Sequence, residues 1–308
     1  MQSNYSTKLK PNITVKNQHF KGTQLIGALT TVLVPMMSSM VAAVLIRKIG
    51  VTTIDIAILI FMFFINGIGI EVGFHRCFSH NAFKTNNFIR VILAILGCMA
   101  GQGPVIYWVA THRRHHCYSD VTGDVHSPNL HGDDIRGRLR GLLHAHVGWI
   151  FDLEFTNTFV FAKDLLEDSL LLNVNKLYFL WLNLGLVIPG IFGGILTRTW
   201  IGAFSGFLWG GIVRLFLAQQ VTYAVNSICH LYGGRAFETN EQSRNNLLLA
   251  IPTLGGSWHN NHHAFPNSAV TGLKWWQLDM GGWFILILAA VNLAWDVKTP
   301  SRHKSKNK

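Results

Sequence analysis

Charge is scarce in this chain. Asp, Glu, Lys and Arg make up 13% of its 308 residues, about half the share found in a soluble domain. By contrast 49% of the residues are hydrophobic and the mean hydropathy is +0.28. So few charges cannot wet a globule of this size, which makes a membrane protein the leading class. Acidic residues are rarer still: 15 against 26 Lys and Arg give a net charge of +11. That balance suits anionic lipid headgroups or a phosphorylated carrier. No nucleic-acid recognition motif accompanies it, and the bases sit in tails and loops beside apolar runs, so nucleic acid is not an expected partner. Cys77, Cys98, Cys117 and Cys229 show neither CxxC spacing nor a framework of bridges. They read as small apolar residues in a reducing compartment.

Long apolar runs divide the chain into a polar N-terminal tail over 1–24, a membrane domain over 25–298 and a basic tail over 299–308. A bilayer crossing takes about 20 apolar residues. Four stretches meet that length: 25–46, 54–74, 177–196 (with Pro189 inside it) and 200–227 (with Arg214 inside it). A signal peptide is not expected, because its apolar core would be shorter and a small-residue cleavage site should follow. Phe88–Met99 and Trp283–Trp295 are apolar but too short to cross, and the second reads as an interfacial helix with anchoring tryptophans. Arg214 reads as a packing or snorkelling residue, since no catalytic motif surrounds it. Lys and Arg crowd both tails and the 73–176 segment, while the two opposite loops hold only Arg47, Lys48 and Arg198. By the positive-inside rule both termini lie on the cytoplasmic side. The fold class is therefore an all-α integral membrane protein with four transmembrane helices and a cytoplasmic helical cap.

Histidine is abundant where charge is not. His75-x4-His80, His112-x2-His115-His116 and His259-x2-His262-His263 form three clusters, and His230 stands four residues after Asn226. All lie just past apolar runs on the side predicted to be cytoplasmic. Nine imidazoles exceed the four that a tetrahedral metal site uses, so two metal ions are expected. In HxxHH, residues at i, i+3 and i+4 share a helix face. A spacing of five rotates about 140° on an α-helix, so His75 and His80 cannot face one point on a straight helix. The second span should therefore end between them. Imidazole suits iron, zinc and copper, but structural zinc needs one closed site and no membrane. Glu71, Asp120 and Asp124 stand close enough in sequence to fix the imidazole tautomers, and His126 and His146 are candidates for the same outer layer. His19, His131, His144 and His303 read as non-ligands.

These segments resemble the membrane fatty acyl desaturases of the stearoyl-CoA desaturase group. The likeness is carried by HRCFSH (75–80), THRRHHCYSD (111–120), GDVHSP (123–128), HAHVGW (144–149), VNSICHLYG (225–233), QSRNN (242–246) and WHNNHHAFPNSA (258–269). The resemblance implies a di-iron site (two Fe2+) that uses O2 as co-substrate, held by His75, His80, His112, His115, His116, His230, His259, His262 and His263, with Asn226 acting through water. It implies desaturation of a fatty acyl chain, often at carbons 9 and 10, on an acyl thioester or lipid substrate. The bend of the acyl tunnel maps to Gln102, Trp108 and Thr222, and the positions that set chain length map to Phe63 and Gly67. No HPGG stretch occurs, so the electron donor should be a separate ferredoxin, or cytochrome b5 with its reductase.

The chain also departs from that pattern. The Arg-Asp pair that holds coenzyme A in animal enzymes is Ala110-Thr111, and the Arg-Lys pair after HVGW is Leu153-Glu154. The usual glutamate before the third box is Gly256, and DPH reads Asp124-Val125-His126. Arg136, Arg138 and Arg140 offer another basic patch. The carrier therefore stays open among coenzyme A, acyl carrier protein and glycerolipid, and the membrane between a bacterial inner membrane and the endoplasmic reticulum. A hydroxylase or acetylenase on the same scaffold is the alternative outcome. A non-catalytic membrane metal-binding protein is the remote one, and it would need a polar through-path for which Asn66, Gln219 and Gln220 are the candidates.

Overall fold

The computed structural model describes residues 12–15 and 21–300. The expectations for His19, His303 and the basic ending beyond Pro300 lie outside the described residues, as does most of the N-terminal tail.

The fold is almost entirely helical. Helix α1 spans Lys21–Ile49 and α2 spans Thr53–Ile68. The start of α2 is fixed by a capping box: the Thr52 hydroxyl accepts from Asp55 N–H, and the Asp55 carboxylate accepts from Thr52 N–H. After α3 (Asn87–Met99), α4 (Val105–Tyr118) and α5 (Ile135–His146) come three short helices: α6 (Thr158–Phe161), α7 (Lys163–Leu166) and α8 (Ser169–Lys176). Then follow α9 (Tyr178–Thr197), α10 (Trp200–Gly206), α11 (Arg214–Ser227), α12 (His259–Ala264) and α13 (Met280–Ala290). Two pairs of two-residue strands complete it, each antiparallel: β1 (Thr14–Val15) with β3 (Phe155–Thr156), and β2 (Lys84–Thr85) with β4 (Ala294–Trp295).

Four helices are long and apolar enough to cross a membrane: Gln24–Lys48, Thr53–Ser79, Tyr178–Thr197 and Trp200–His230. Three run further than the apolar pattern indicates, and two of these contain a π-helical stretch. The π segment Gly69–Ser79 prolongs α2, and Phe207–Val213 joins α10 to α11. Both lie where small residues permit close contact; a methyl group on Gly69 would collide with the backbone of Gly97 in α3. The Trp283–Trp295 reading needs correcting at its end. The helix stops at Ala290, and Trp295 belongs to the strand paired with Lys84, because Asn292 and Asp296 adopt positive φ and break the helical path. At the other terminus, Thr14–Val15 pair with the 155–156 segment, inside the stretch read as a polar tail.

Arg214 is buried to 0% exposure, so it does not snorkel. Its guanidinium donates to the carbonyls of Gly210 (3.1 Å), Met99 (2.9 Å) and Gly185 (2.7 Å). It thereby ties the π segment of the fourth span to the end of α3 and to α9, which is the packing role. Gln219 does related work, donating to Thr31 O and Gly101 O.

Replacing Arg214 with Ala strips those carbonyls of their donor and leaves a hole. A loss of about 3 kcal/mol is expected, to be read as a lower melting temperature of the detergent-solubilised protein than wild type.

Candidate metal centre and adjoining cavity

The nine predicted imidazoles do come together, in two groups. His75, His80, His112, His116 and His262 form one, and His115, His230, His259 and His263 the other; within each group the candidate ligand atoms lie within 4.8 Å of one another. In the first, Nε2 atoms meet at 3.0 Å (His75–His262), 2.8 Å (His80–His112) and 2.9 Å (His116–His262). In the second, His259 Nε2 stands 3.0 Å from that of His230 and 3.2 Å from that of His263.

The HxxHH boxes do not point all their histidines at one place. His112 and His116 enter the first group while His115 enters the second; in the third box His262 joins the first group and His259 and His263 the second. On an α-helix, positions i+3 and i+4 lie about 60° to one side and about 40° to the other of position i. One box thus serves two centres that flank the helix. The first box works differently. The helix does end between His75 and His80, at Ser79, but its wide winding is what unites them. The N–H of His80 bonds to the carbonyl of His75 (3.2 Å), an i to i+5 turn that stacks two residues which an α-helix would separate. Arg113 secures this terminus, donating to Ser79 O (2.9 Å) and Phe78 O (2.7 Å) and forming a two-pronged pair with Asp164 (2.6 and 2.9 Å).

Carboxylates hold the outward ring nitrogens. His75 Nδ1 donates to Glu71 (3.1 Å), His115 Nδ1 to Asp124 (2.9 Å) and His230 Nδ1 to Asp120 (2.9 Å). With the proton on Nδ1, each Nε2 presents a bare lone pair to the cluster. Lone pairs converging at about 3 Å cannot all be satisfied by each other. His115 Nε2 is buried with no partner among the described residues. This donor set fits metal cations. Burial, reinforced by repulsion from neighbouring imidazoles, pushes His80, His112, His116, His259, His262 and His263 well below the usual histidine range, so they are neutral at pH 7, the form that ligates. For His115 burial acts the same way, but Asp124, Asp120 and Glu241 outweigh it and raise its pKa. Burial alone would raise Asp120 and Asp124; their histidine hydrogen bonds and charges win and lower both.

Several outer residues have no local sequence signal. Glu241 approaches His263 Nδ1 at 3.7 Å. Arg76 is clamped between Glu71 (3.0 Å) and Asp279 (2.7 Å), orienting the carboxylate that orients His75. Asn260 and Asn261, inside the third box, bond the 236–245 and 271–277 segments. The departure at Gly256 has a spatial counterpart: a side chain there would meet Glu71 Oε2 at 2.8 Å, so a carboxylate already fills that room from the second span. His126, lowered to about 3 by burial and by nearby His115, has its ring 4.4 Å from that of His115. His146 instead bonds Ser227 and Gln220, tying α5 to α11. His131 and His144 pair with each other, 4.7 Å apart, in neither group.

Beside the two groups lies a cavity whose surface is mostly apolar and which reaches His75, His112, His115 and His259. Phe63, Gly67, Gln102, Trp108, Thr222 and Asn226 all line it. Gln102 is at the centre of a hydrogen-bond chain, accepting from Trp108 Nε1 (3.1 Å) and donating to Thr222 Oγ1 (2.7 Å). The Trp108 ring stacks on His112 at 5.1 Å and 18°, so cavity wall and metal group are in contact.

The family model described as fatty acid desaturase matches residues 54–284. A hex-5-enoyl-[acyl-carrier protein] acetylenase of Moorena producens is 47% identical over 296 residues, covering 96% of this chain and 92% of that protein. The sn-1 stearoyl-lipid 9-desaturase of Synechocystis is 36% identical over 245 residues (79% and 71%). The Delta-9 acyl-lipid desaturase 1 of Arabidopsis thaliana is 35% identical over 237 (77% and 73%).

Asp124→Asn removes the charge that fixes His115 while keeping the side chain's shape. Metal affinity is expected to fall about tenfold or more, read as metal content per protein after dialysis against a chelator. A second expectation concerns acid. Where a folded-state histidine pKa is lowered, the unfolded chain binds more protons, so stability falls as pH drops through the unfolded value near 6.5. The melting temperature of metal-free protein should therefore decline between pH 7.5 and pH 5.5, and a flat profile would contradict the buried neutral cluster.

Proposed function

The chain belongs to the fatty acid desaturase family, oxidoreductases of fatty acyl chains, and from that premise we propose an oxygen-dependent, di-iron enzyme that removes two hydrogens from adjacent carbons of a carrier-bound acyl chain. The observation that carries this reading is the convergence of nine imidazoles, in two groups, beside a largely apolar cavity. His75, His80, His112, His116 and His262 would hold one ion, and His115, His230, His259 and His263 the other, with Asn226 contributing through water. Redox iron supplies what no side chain can, the activation of O2 and the taking of hydrogen from an unactivated carbon. The balance is two hydrogens from the substrate, two electrons from a separate donor protein, two protons from solvent, and O2 reduced to two waters.

The protein's own work is aim and exclusion of water. Glu71, Asp120 and Asp124 fix the Nδ1–H tautomer and the orientation of the rings they hold, so that Nε2 faces the cluster. Trp108 and the Gln102–Thr222 pair shape the wall against which the chain bends past His112. Phe63 and Gly67 line the part that sets chain length. We read the histidine groups and both termini as cytoplasmic, since Arg47, Lys48 and Arg198 are the bases at the opposite helix ends.

Two observations favour acyl carrier protein as the carrier. The coenzyme A-holding pairs are replaced by Ala110-Thr111 and Leu153-Glu154, and α5 exposes Arg136, Arg138 and Arg140, which suit an acidic partner. A second reading keeps the site and changes the substrate: an already unsaturated chain converted to an alkyne. The 47% identity to an acetylenase, extending over 96% of this chain, supports it.

Expression of the chain in a host, followed by mass spectrometry of its acyl groups, tests both readings. Loss of two hydrogens from a saturated chain marks the desaturase, and the same loss from an olefin marks the acetylenase. Gain of one oxygen would instead mark a hydroxylase. Purified protein should bind about two irons; full metal loading with no oxygen-dependent change in any acyl group would refute the proposal.

A further inference from the structure

Most polar side chains within the spans are used by the fold. Gln219 bonds two carbonyls, Gln220 meets His146, and Arg214 bonds three carbonyls. Asn66 differs. It is buried to 0% exposure, yet neither its Nδ2 nor its Oδ1 has a partner among the described residues, and it lines the cavity. An amide without partners in apolar surroundings is costly. Ligand cavities characteristically place a few polar groups in an apolar wall, where they decide what fits.

The helix sets its depth. Phe63, Asn66, Gly67 and Ile70 stand at i, i+3, i+4 and i+7, share one face and all line the cavity. His75 follows nine residues after Asn66, beyond the start of the π segment. Asn66 thus stands roughly two turns deeper in the span than the nearest candidate ligand.

We infer that Asn66 is a polar collar, about one turn above Phe63 on the same cavity wall, that selects acyl chains by length. The inference rests on the desaturase reading of this same site and deepens it by naming the substrate class: short to medium chains that end above Asn66. A longer saturated chain would press its methyl end on the amide, displace whatever hydrogen-bonds there, and leave a donor and an acceptor facing hydrocarbon. Phe63 restricts length through bulk, whereas Asn66 does so through polarity. The two are separable, because leucine is bulkier than asparagine and offers no polar atom, so added bulk and lost polarity shift the preference in opposite directions.

The test uses the full chain, wild type and Asn66→Leu, in a host fed separately with hex-5-enoic, hexanoic, decanoic, tetradecanoic and octadecanoic acids, with products read by mass spectrometry. Thermal stabilisation of the purified protein by the same acids gives a readout independent of turnover. The leucine variant should gain about tenfold in its preference for the longest over the shortest chains, in both readouts. Asn66→Val takes its place if the leucine variant does not accumulate in the membrane. An unchanged order of preference, or a wild type that already favours octadecanoic acid, overturns the inference. A wild type that forms no product from any chain, while the variant still shifts the stabilisation series toward longer acids, refutes the desaturase reading and upholds the polar collar.

Discussion

Everything at the centre depends on where one proton sits on each imidazole. A buried histidine ring is useful to a cation only if its proton is held on the far side, and a carboxylate is the strongest neutral-pH acceptor available for that purpose. Glu71, Asp124 and Asp120 fill that role for three rings drawn from three different parts of the chain. Those acids are themselves held in place: Asp120 accepts from Ser127, Asn129 and the backbone of Gln242, and Glu71 is paired with Arg76. The chain has few acids, and a large share of the buried ones surround the imidazoles.

The membrane helices supply the rigidity this arrangement needs. The π winding of Gly69–Ser79 brings His75 and His80 together, and Arg113 closes its open carbonyls against α6 and α7. On α4 the alternation of His112, His115 and His116 places the helix between the two groups, so one rigid rod fixes the distance between them. Trp108, one turn earlier on that rod, makes the cavity wall part of the same body.

Much of this was legible in the sequence. The four apolar runs, the histidine spacings and the three supporting acids are local patterns, and each has a direct geometric meaning. What was not legible came from non-local contact or from unusual winding. Nothing in the spacing of His75 and His80 announces a π-helix; it only rules out a straight α-helix. The division of each HxxHH box between two groups follows from helical rotation, yet sharing a face suggested a single target. Glu241, Asp279 and the two asparagines of the third box act across long stretches of chain, and their chemistry is generic until the fold brings them in. Trp295 was drawn into an apolar helix by composition, whereas the backbone reverses at Asn292 and Asp296 to pair it with Lys84.

Arg214 ties together three segments through one buried guanidinium. One of its carbonyl partners, Met99, lies just before the turn that leads to Gln102, and another, Gly185, sits midway along a lipid-facing helix. Thickening or thinning of the surrounding bilayer changes helix tilt, and a change of tilt in α9 would strain a buried guanidinium whose other partner adjoins the segment leading to Gln102.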